Sequence, residues 1–145
     1  MEILERAGEV MSALEASAAE KQVALTLSGS GFRVKGVRRL LYEILYNLCD
    51  NAVKYNVPGG SVCIAAQGNT LTVTDTGIGI PREHQDRVFE RFYRVDKSHS
   101  KAVGGTGLGL SIVKHGAASL GARIQVDSEL DQGTTISVIF PKERL

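Results

Sequence analysis

Glu43-Ile44-Leu45-Tyr46-Asn47-Leu48-Cys49-Asp50-Asn51-Ala52-Val53-Lys54 is the stretch on which the reading of this chain turns. Apolar residues at Val37, Leu40, Leu41, Ile44, Leu45, Leu48 and Ala52 recur at helical spacing and predict one long helix from about Val37 to Tyr55. Pro58-Gly59-Gly60 ends it. Glu43, Asn47 and Asn51 stand four residues apart, Lys54 follows three later, and all four share one face of that helix. Asn is a poor helix former, and its amide is costly to bury unpaired. Two of them at i, i+4 want a ligand or a network, and a neutral amide oxygen suits a hard cation such as Mg²⁺. Lys54 is then in reach of a phosphate. The competing reading is an ordinary solvated polar face.

Outward from this helix the chain alternates short elements. Ile3 to Lys21 carries Ile3, Ala7, Val10, Met11, Leu14 and Ala18 at helical spacing, and Val23 to Leu27 alternates like a strand. Phe32 to Lys35 reads as a second short strand. Ser61–Gln67 and Leu71–Asp75 predict a hairpin through Gly68-Asn69. A short helix is expected over Glu83–Phe89. Tyr93 to Gly105 is a polar, glycine-bearing loop whose length points to a lid. A helix over Leu108–Leu120 follows, with Thr106 as N-cap, a buried face of Ile112, Val113, Gly116, Ala117 and Leu120, and Gly121 as αL cap. Ala122–Ser128 and Thr134–Phe140 close the chain as a hairpin, so the sheet is mixed or antiparallel with helices on one face.

Two glycine loops flank these elements. Asp75-Thr76-Gly77-Ile78-Gly79-Ile80-Pro81 follows a strand directly. Its carboxylate can accept an exocyclic amine, and its glycines let a planar ring approach the backbone; a plain Asp-x-Gly turn is the alternative. Gly104-Gly105-Thr106-Gly107-Leu108-Gly109-Leu110 opens a helix and presents free N–H groups at the positive end of its dipole, an anion site. No Gly-Lys-Ser/Thr follows and no strand precedes it, so it is neither a P-loop nor a dinucleotide fingerprint. A flexible hinge is the compatible, simpler role.

The chain's 145 residues suffice for one domain. Charged residues at 23%, apolar residues at 43% and a net charge of +1 exclude a disordered chain and give no support to nucleic-acid binding through a bulk field. Cys49 and Cys63 are too few for a disulfide framework and lie in apolar segments, which favours a reducing cytosol. Glycine is the excess: 16 residues, about 11% against a usual ~7%, six of them between Gly77 and Gly109.

Taken together, the motifs resemble those of sensor histidine kinases. Asn47 to Tyr55 is similar to their N box, Asp75 to Pro81 to their G1 box, Val88-Phe89-Glu90-Arg91-Phe92-Tyr93-Arg94 to their F box, Gly105 to Leu110 to their G2 box, and Gly133-Thr134-Thr135 to a short signature before the last strand. The resemblance covers about Glu5 to Pro141 and is to the catalytic, ATP-binding domain of the Bergerat type shared with gyrase, Hsp90 and MutL proteins. It implies an α/β sandwich: a mixed, largely antiparallel sheet of five to six strands with three helices on one face, as a single domain over residues 1–145.

The resemblance also implies roles. Asp75 accepts the adenine amine, with Gly77, Gly79 and Ile80 beside the ring. Asn51 ligates Mg²⁺ with Asn47 in support, Lys54 contacts phosphate, and Tyr55 packs near adenine or ribose. Gly105, Thr106, Gly107, Leu108 and Gly109 wrap the phosphates of ATP, and Tyr93 to Thr106 forms the lid. Arg91 or Arg94 reaches the γ-phosphate or the partner domain, and Thr135 joins the water network around Asp75. Asn47 stands where the gyrase branch places a glutamate base. An amide cannot take that proton, which turns the expectation from hydrolysis to phosphoryl transfer. Asn56 stands where Ser or Thr is commoner.

Histidine kinases phosphorylate a histidine in a helical dimerisation domain, and His84, His99 and His115 have no such context. The acceptor is therefore expected on another polypeptide or in a part outside this chain, with a response regulator downstream. The piece itself is expected to be a monomer and the cytosolic domain of a membrane-anchored kinase. A serine kinase of the anti-sigma-factor type, and a nucleotide-sensing module without kinase activity, are the alternatives.

Overall fold

The computed structural model describes residues 2–80, 83, 85, 89 and 109–142. The elements in chain order are α1 (Ile3–Lys21), β1 (Ala24–Ser28), α2 (Arg38–Lys54), β2 (Ser61–Gln67), β3 (Thr70–Asp75), α3 (Gly109–Ser119), β4 (Arg123–Glu129) and β5 (Gly133–Ile139). The short helix expected over 83–89 and the lid over 93–106 lie largely or wholly outside the described residues.

The strands form one sheet in the order β1-β2-β3-β5-β4. β1 runs parallel to β2, and every other neighbouring pair is antiparallel. Strand alternation decides which face is covered. Val62, Ile64 and Ala66 of β2, Leu71 and Val73 of β3, and Ile136 and Val138 of β5 are buried on one face, with Phe140 just beyond β5. α1, α2 and α3 bury Val10 and Leu14, Ile44, Leu45 and Leu48, and Leu110 and Val113 in the same core. The other face carries Thr72, Thr74, Thr135 and Ser137. This is the expected α/β sandwich, with five strands and, among the described residues, three helices on one side of the sheet.

Two expectations change. Phe32–Lys35 is not a strand: it contributes one isolated bridge, Glu2 with Arg33, and the Phe32 carbonyl accepts the Ile3 N–H at 3.0 Å. The segment anchors the start of α1 instead of extending the sheet. Ile112 is 40% exposed, and Leu110 takes its place on the buried face of α3. The apolar stripe there runs Leu110, Val113, Ala117, Leu120, which is the same helical period started two residues earlier.

α2 and α3 pack closely because α3 has no side chain at Gly116. A Cβ there would lie 3.0 Å from Ile44 Cγ1 and 3.1 Å from Leu40 Cδ1. At its other end, α3 begins with Gly109, where a Cβ would come 3.3 Å from Asn47 Oδ1. Close helix approach thus brings the start of α3 onto the polar stripe of α2. Gly116→Val should wedge the helices apart and cost about 1–3 kcal/mol by overpacking, read as a lower midpoint in urea denaturation with an unchanged slope.

Candidate functional site

The polar groups singled out by the sequence converge where α2 ends, β3 ends and α3 begins. Two links, one from Tyr55 and one from Asn56, hold the α2 end against the loop after β3. The Tyr55 carbonyl accepts the Ile78 N–H at 3.1 Å. Asn56, buried at 5% exposure, accepts the Val57 N–H at 2.8 Å and the Thr76 hydroxyl at 3.2 Å through Oδ1, and donates from Nδ2 to the Ser61 carbonyl at 2.9 Å. The Ser61 N–H closes the ring by donating to Thr76 Oγ1 at 2.9 Å. A buried amide with every polar atom used is stable where an unpaired one is not, which accounts for Asn at a position where a smaller hydroxyl would leave groups unmet.

The loop is held from its other side by the β4–β5 hairpin. Asp131 N–H donates to the Ile78 carbonyl at 2.9 Å, and Ile80 N–H donates to Ser128 Oγ at 2.8 Å. Gln85 Nε2 bridges the Ile80 and Ser128 carbonyls at 2.9 and 3.2 Å. Gly79 has φ +76°, and a Cβ there would run into the Glu129 carbonyl. A Cβ at Gly77 would run into the Tyr55 carbonyl and come within 3.0 Å of Asp75 Oδ1. Both glycines are therefore required by the loop's own packing, before any ligand is considered.

Asp75 sits half-buried inside this frame. Its Oδ1 accepts two backbone N–H bonds, from Gly77 at 2.9 Å and from Thr134 at 3.2 Å. Burial pushes its carboxyl above the ordinary value of 3.8, and the two N–H donors pull the other way. The result is a carboxylate of fixed orientation beside a short, partly covered loop. Thr135 is not its neighbour. The Thr135 hydroxyl donates to Thr74 Oγ1 at 3.2 Å on the opposite face of the sheet. Side chains alternate along a strand, so the residue on Asp75's side is Thr134, with which Asp75 is paired in register.

Across from the loop, α2 offers Asn47 and Asn51, both half-buried. Asn47 Nδ2 donates to the Glu43 carbonyl one turn back at 2.7 Å, and its Oδ1 lies toward Gly109. No hydrogen bond to the Asn51 side chain occurs among the described residues. Lys54 is engaged: its ammonium pairs with Asp50 Oδ2 at 3.0 Å. Among the described residues no group of three or more His, Cys, Asp or Glu could hold a metal ion. The Asn47 and Asn51 amides offer neutral oxygens, which suit an ion such as Mg²⁺ that keeps waters and takes its remaining ligands from substrate phosphates. Arg91, Arg94, Gly105, Thr106, Gly107 and Leu108 lie outside the described residues.

Residues 36–144 match the histidine kinase-, DNA gyrase B-, and HSP90-like ATPases. The chain belongs to this family. The sensor-like histidine kinase SenX3 of Mycolicibacterium smegmatis is 42% identical over 139 residues, covering 92% of this chain and 36% of that protein. The chain thus spans about a third of the length of this relative. Among solved structures, a mycobacterial sensor histidine kinase, MprB, superposes with a TM-score of 0.84 at 27% identity, over 97% of this chain and 96% of that one. Full-length ShkA in complex with AMPPNP superposes with a TM-score of 0.81 at 27% identity, over 97% of this chain and 30% of that one. The fold is the Bergerat sandwich of these kinases, and no helix among the described residues is long and apolar enough to cross a membrane.

The Asp75 geometry has a pH consequence. Asp75→Asn keeps an oxygen for the two N–H donors and removes the buried charge. A carboxyl shifted upward in the fold contributes its stability below the ordinary pKa of 3.8 and loses it as pH rises through the shifted value. Thermal melting at pH 7 should therefore find Asp75→Asn as stable as wild type or more so, with the difference closing toward pH 4. A variant clearly less stable than wild type at pH 7 contradicts this account of the site.

Proposed function

We propose that the chain binds Mg-ATP between α2, the Asp75–Ile80 loop and the start of α3, and transfers the γ-phosphoryl group to a histidine on a dimerisation domain outside this chain. The observation that carries the reading is the Asp75 carboxylate. It is oriented by two backbone donors, in a loop bonded through Ile78 to Tyr55 at the end of the helix that carries Asn47 and Asn51; on this reading the carboxylate takes a base and the amides take charge. Asp75 would accept the adenine amine, with Gly77, Gly79 and Ile80 along the ring and Tyr55 near adenine or ribose. Thr134 takes the place first expected of Thr135.

Asn51, supported by Asn47, would hold Mg²⁺, which when bound neutralises charge on the phosphates. Lys54 would exchange its Asp50 partner for a phosphate oxygen, a swap between two anions that costs little at a part-exposed site. Gly105, Thr106, Gly107, Leu108 and Gly109 would receive the phosphate chain on backbone N–H groups at the start of α3. Arg91 and Arg94 would meet the γ-phosphate or the acceptor domain. With an amide at position 47 and no carboxylate base there, positioning and charge neutralisation remain as the means of catalysis, which suits transfer to a nucleophile over attack by water.

Histidine is favoured over serine as acceptor because the relatives are sensor histidine kinases. On this reading the chain is the cytosolic catalytic domain of a membrane-anchored two-component kinase. It is monomeric in isolation and acts on a response regulator through the phosphorylated histidine.

ATP at one hundred times its Kd should stabilise the domain by about 2.7 kcal/mol, a melting shift of about 10 °C. Added Mg²⁺ should tighten ATP binding about tenfold or more in wild type. Asn51→Ala should lose that increment while keeping the Mg²⁺-free affinity. Labelled γ-phosphate should pass to a histidine only when a dimerisation domain is supplied. No melting shift with ATP would sink the reading.

A further inference from the structure

One side chain outside the sequence motifs completes a closed path through the site. Ile80 N–H donates to Ser128 Oγ at 2.8 Å, and the Ser128 hydroxyl donates to the Gly133 carbonyl at 3.0 Å. That carbonyl belongs to the same peptide unit as the Thr134 N–H, which donates to Asp75 Oδ1 at 3.2 Å. The path starts at Ile80, passes through one hydroxyl and one peptide plane, and returns to Asp75, five residues away in the same loop. Because the single Ser128 proton goes to Gly133, the Thr134 hydroxyl, 2.8 Å away, is the donor toward Ser128 Oγ. Ser128 Oγ then accepts two bonds and donates one, and its own carbonyl takes Gln85 Nε2.

The Gly133–Thr134 peptide has reason to need such a hold. Gly133 has φ +130°, and a Cβ there would collide with the Asp75 carbonyl. The residue that permits this approach is also the one with the least backbone constraint. Bonds in series through a peptide polarise one another, so a hydroxyl donating to the carbonyl strengthens the N–H as a donor at the far side.

We propose that Ser128 is a positioning residue for Asp75: it fixes the Gly133–Thr134 peptide plane that orients the carboxylate, and through it sets the preference for a base bearing an exocyclic amine. The second half of this inference rests on the nucleotide reading above; the first does not.

The test uses wild type, Ser128→Ala and Ser128→Thr. Without nucleotide, the Asp75 carboxyl carbon is titrated by NMR. Its midpoint should move upward in Ser128→Ala, because the Thr134 N–H is no longer held on the carboxylate by the Ser128–Gly133 bond, and return in Ser128→Thr, which restores the hydroxyl. With nucleotide, Ser128→Ala should weaken ATP about tenfold and inosine triphosphate, whose base lacks the exocyclic amine, less than threefold, and Ser128→Thr should recover the ratio. An Asp75 titration identical in wild type and Ser128→Ala overturns the positioning role. Equal losses for ATP and inosine triphosphate overturn the link to base preference and leave a structural serine. If wild type fails to bind ATP at all, the nucleotide reading falls, while the titration still decides what Ser128 does to Asp75.

Discussion

The bond pair at Asp75 Oδ1 is the constraint on which the rest of the site depends. One donor, Gly77 N–H, comes from the loop that follows the carboxylate; the other, Thr134 N–H, comes from the neighbouring strand β5. A half-buried carboxylate meeting only one of them would swing, and its burial would favour the neutral acid. With both, the group is held in one orientation at the end of a core strand. The two donors also fix the order of assembly in space: β3 must pair with β5, and the hairpin tip must sit over the loop, before the carboxylate is satisfied.

The opposite wall is built by different means. α2 divides its surface between a buried stripe, Leu41, Ile44, Leu45, Leu48 and Ala52, and the polar series Glu43, Asn47, Asn51 and Lys54. The buried stripe is gripped by the sheet and by α3, whose Gly116 lets the helices close. The polar series is thereby presented at fixed distance from the loop. Asn56 and Thr76 join the two walls at their base, so a shift of the α2 end would be transmitted to the loop through the Tyr55–Ile78 bond as well. A rigid base with the start of α3 above it is a reasonable frame for a ligand that is a base at one end and a chain of phosphates at the other. Cys49, inside the α2 stripe, has no part in this chemistry: burial, then the nearby Asp50, push its thiol up to about 12.

Much of this was legible in the residues themselves. Helical periodicity located α1, α2 and α3 to within a residue or two, and Gly68-Asn69 marked the β2–β3 turn where it lies. Local pattern failed where a contact from far along the chain decides. Phe32–Lys35 alternates like a strand but finds no partner beyond the bridge to Glu2. The parallel β1–β2 pairing is set by α2 crossing between them, which no hairpin signal announces. At the site, Asp75, Asn47 and Asn51 were visible because their chemistry is conspicuous for their positions. Ser128 and Gln85 were not, since a serine in a strand is unremarkable until its partners, 48 residues away in the case of Ile80, are known. Thr135 in place of Thr134 is a one-residue slip, and in a strand one residue is a change of face. The glycines of the loop were assigned to making room for a ring, yet Gly79 is first required by the Glu129 carbonyl.

The central claim, that Asp75 is an oriented acceptor for an exocyclic amine, is tested most directly by calorimetric titration of the chain with ADP and with inosine diphosphate. The two ligands share ribose and phosphates and differ at the group that Asp75 would receive. Inosine diphosphate should bind at least tenfold more weakly than ADP in wild type, and the gap should shrink to about twofold in Asp75→Asn. Equal affinity of wild type for the two nucleotides would contradict the account.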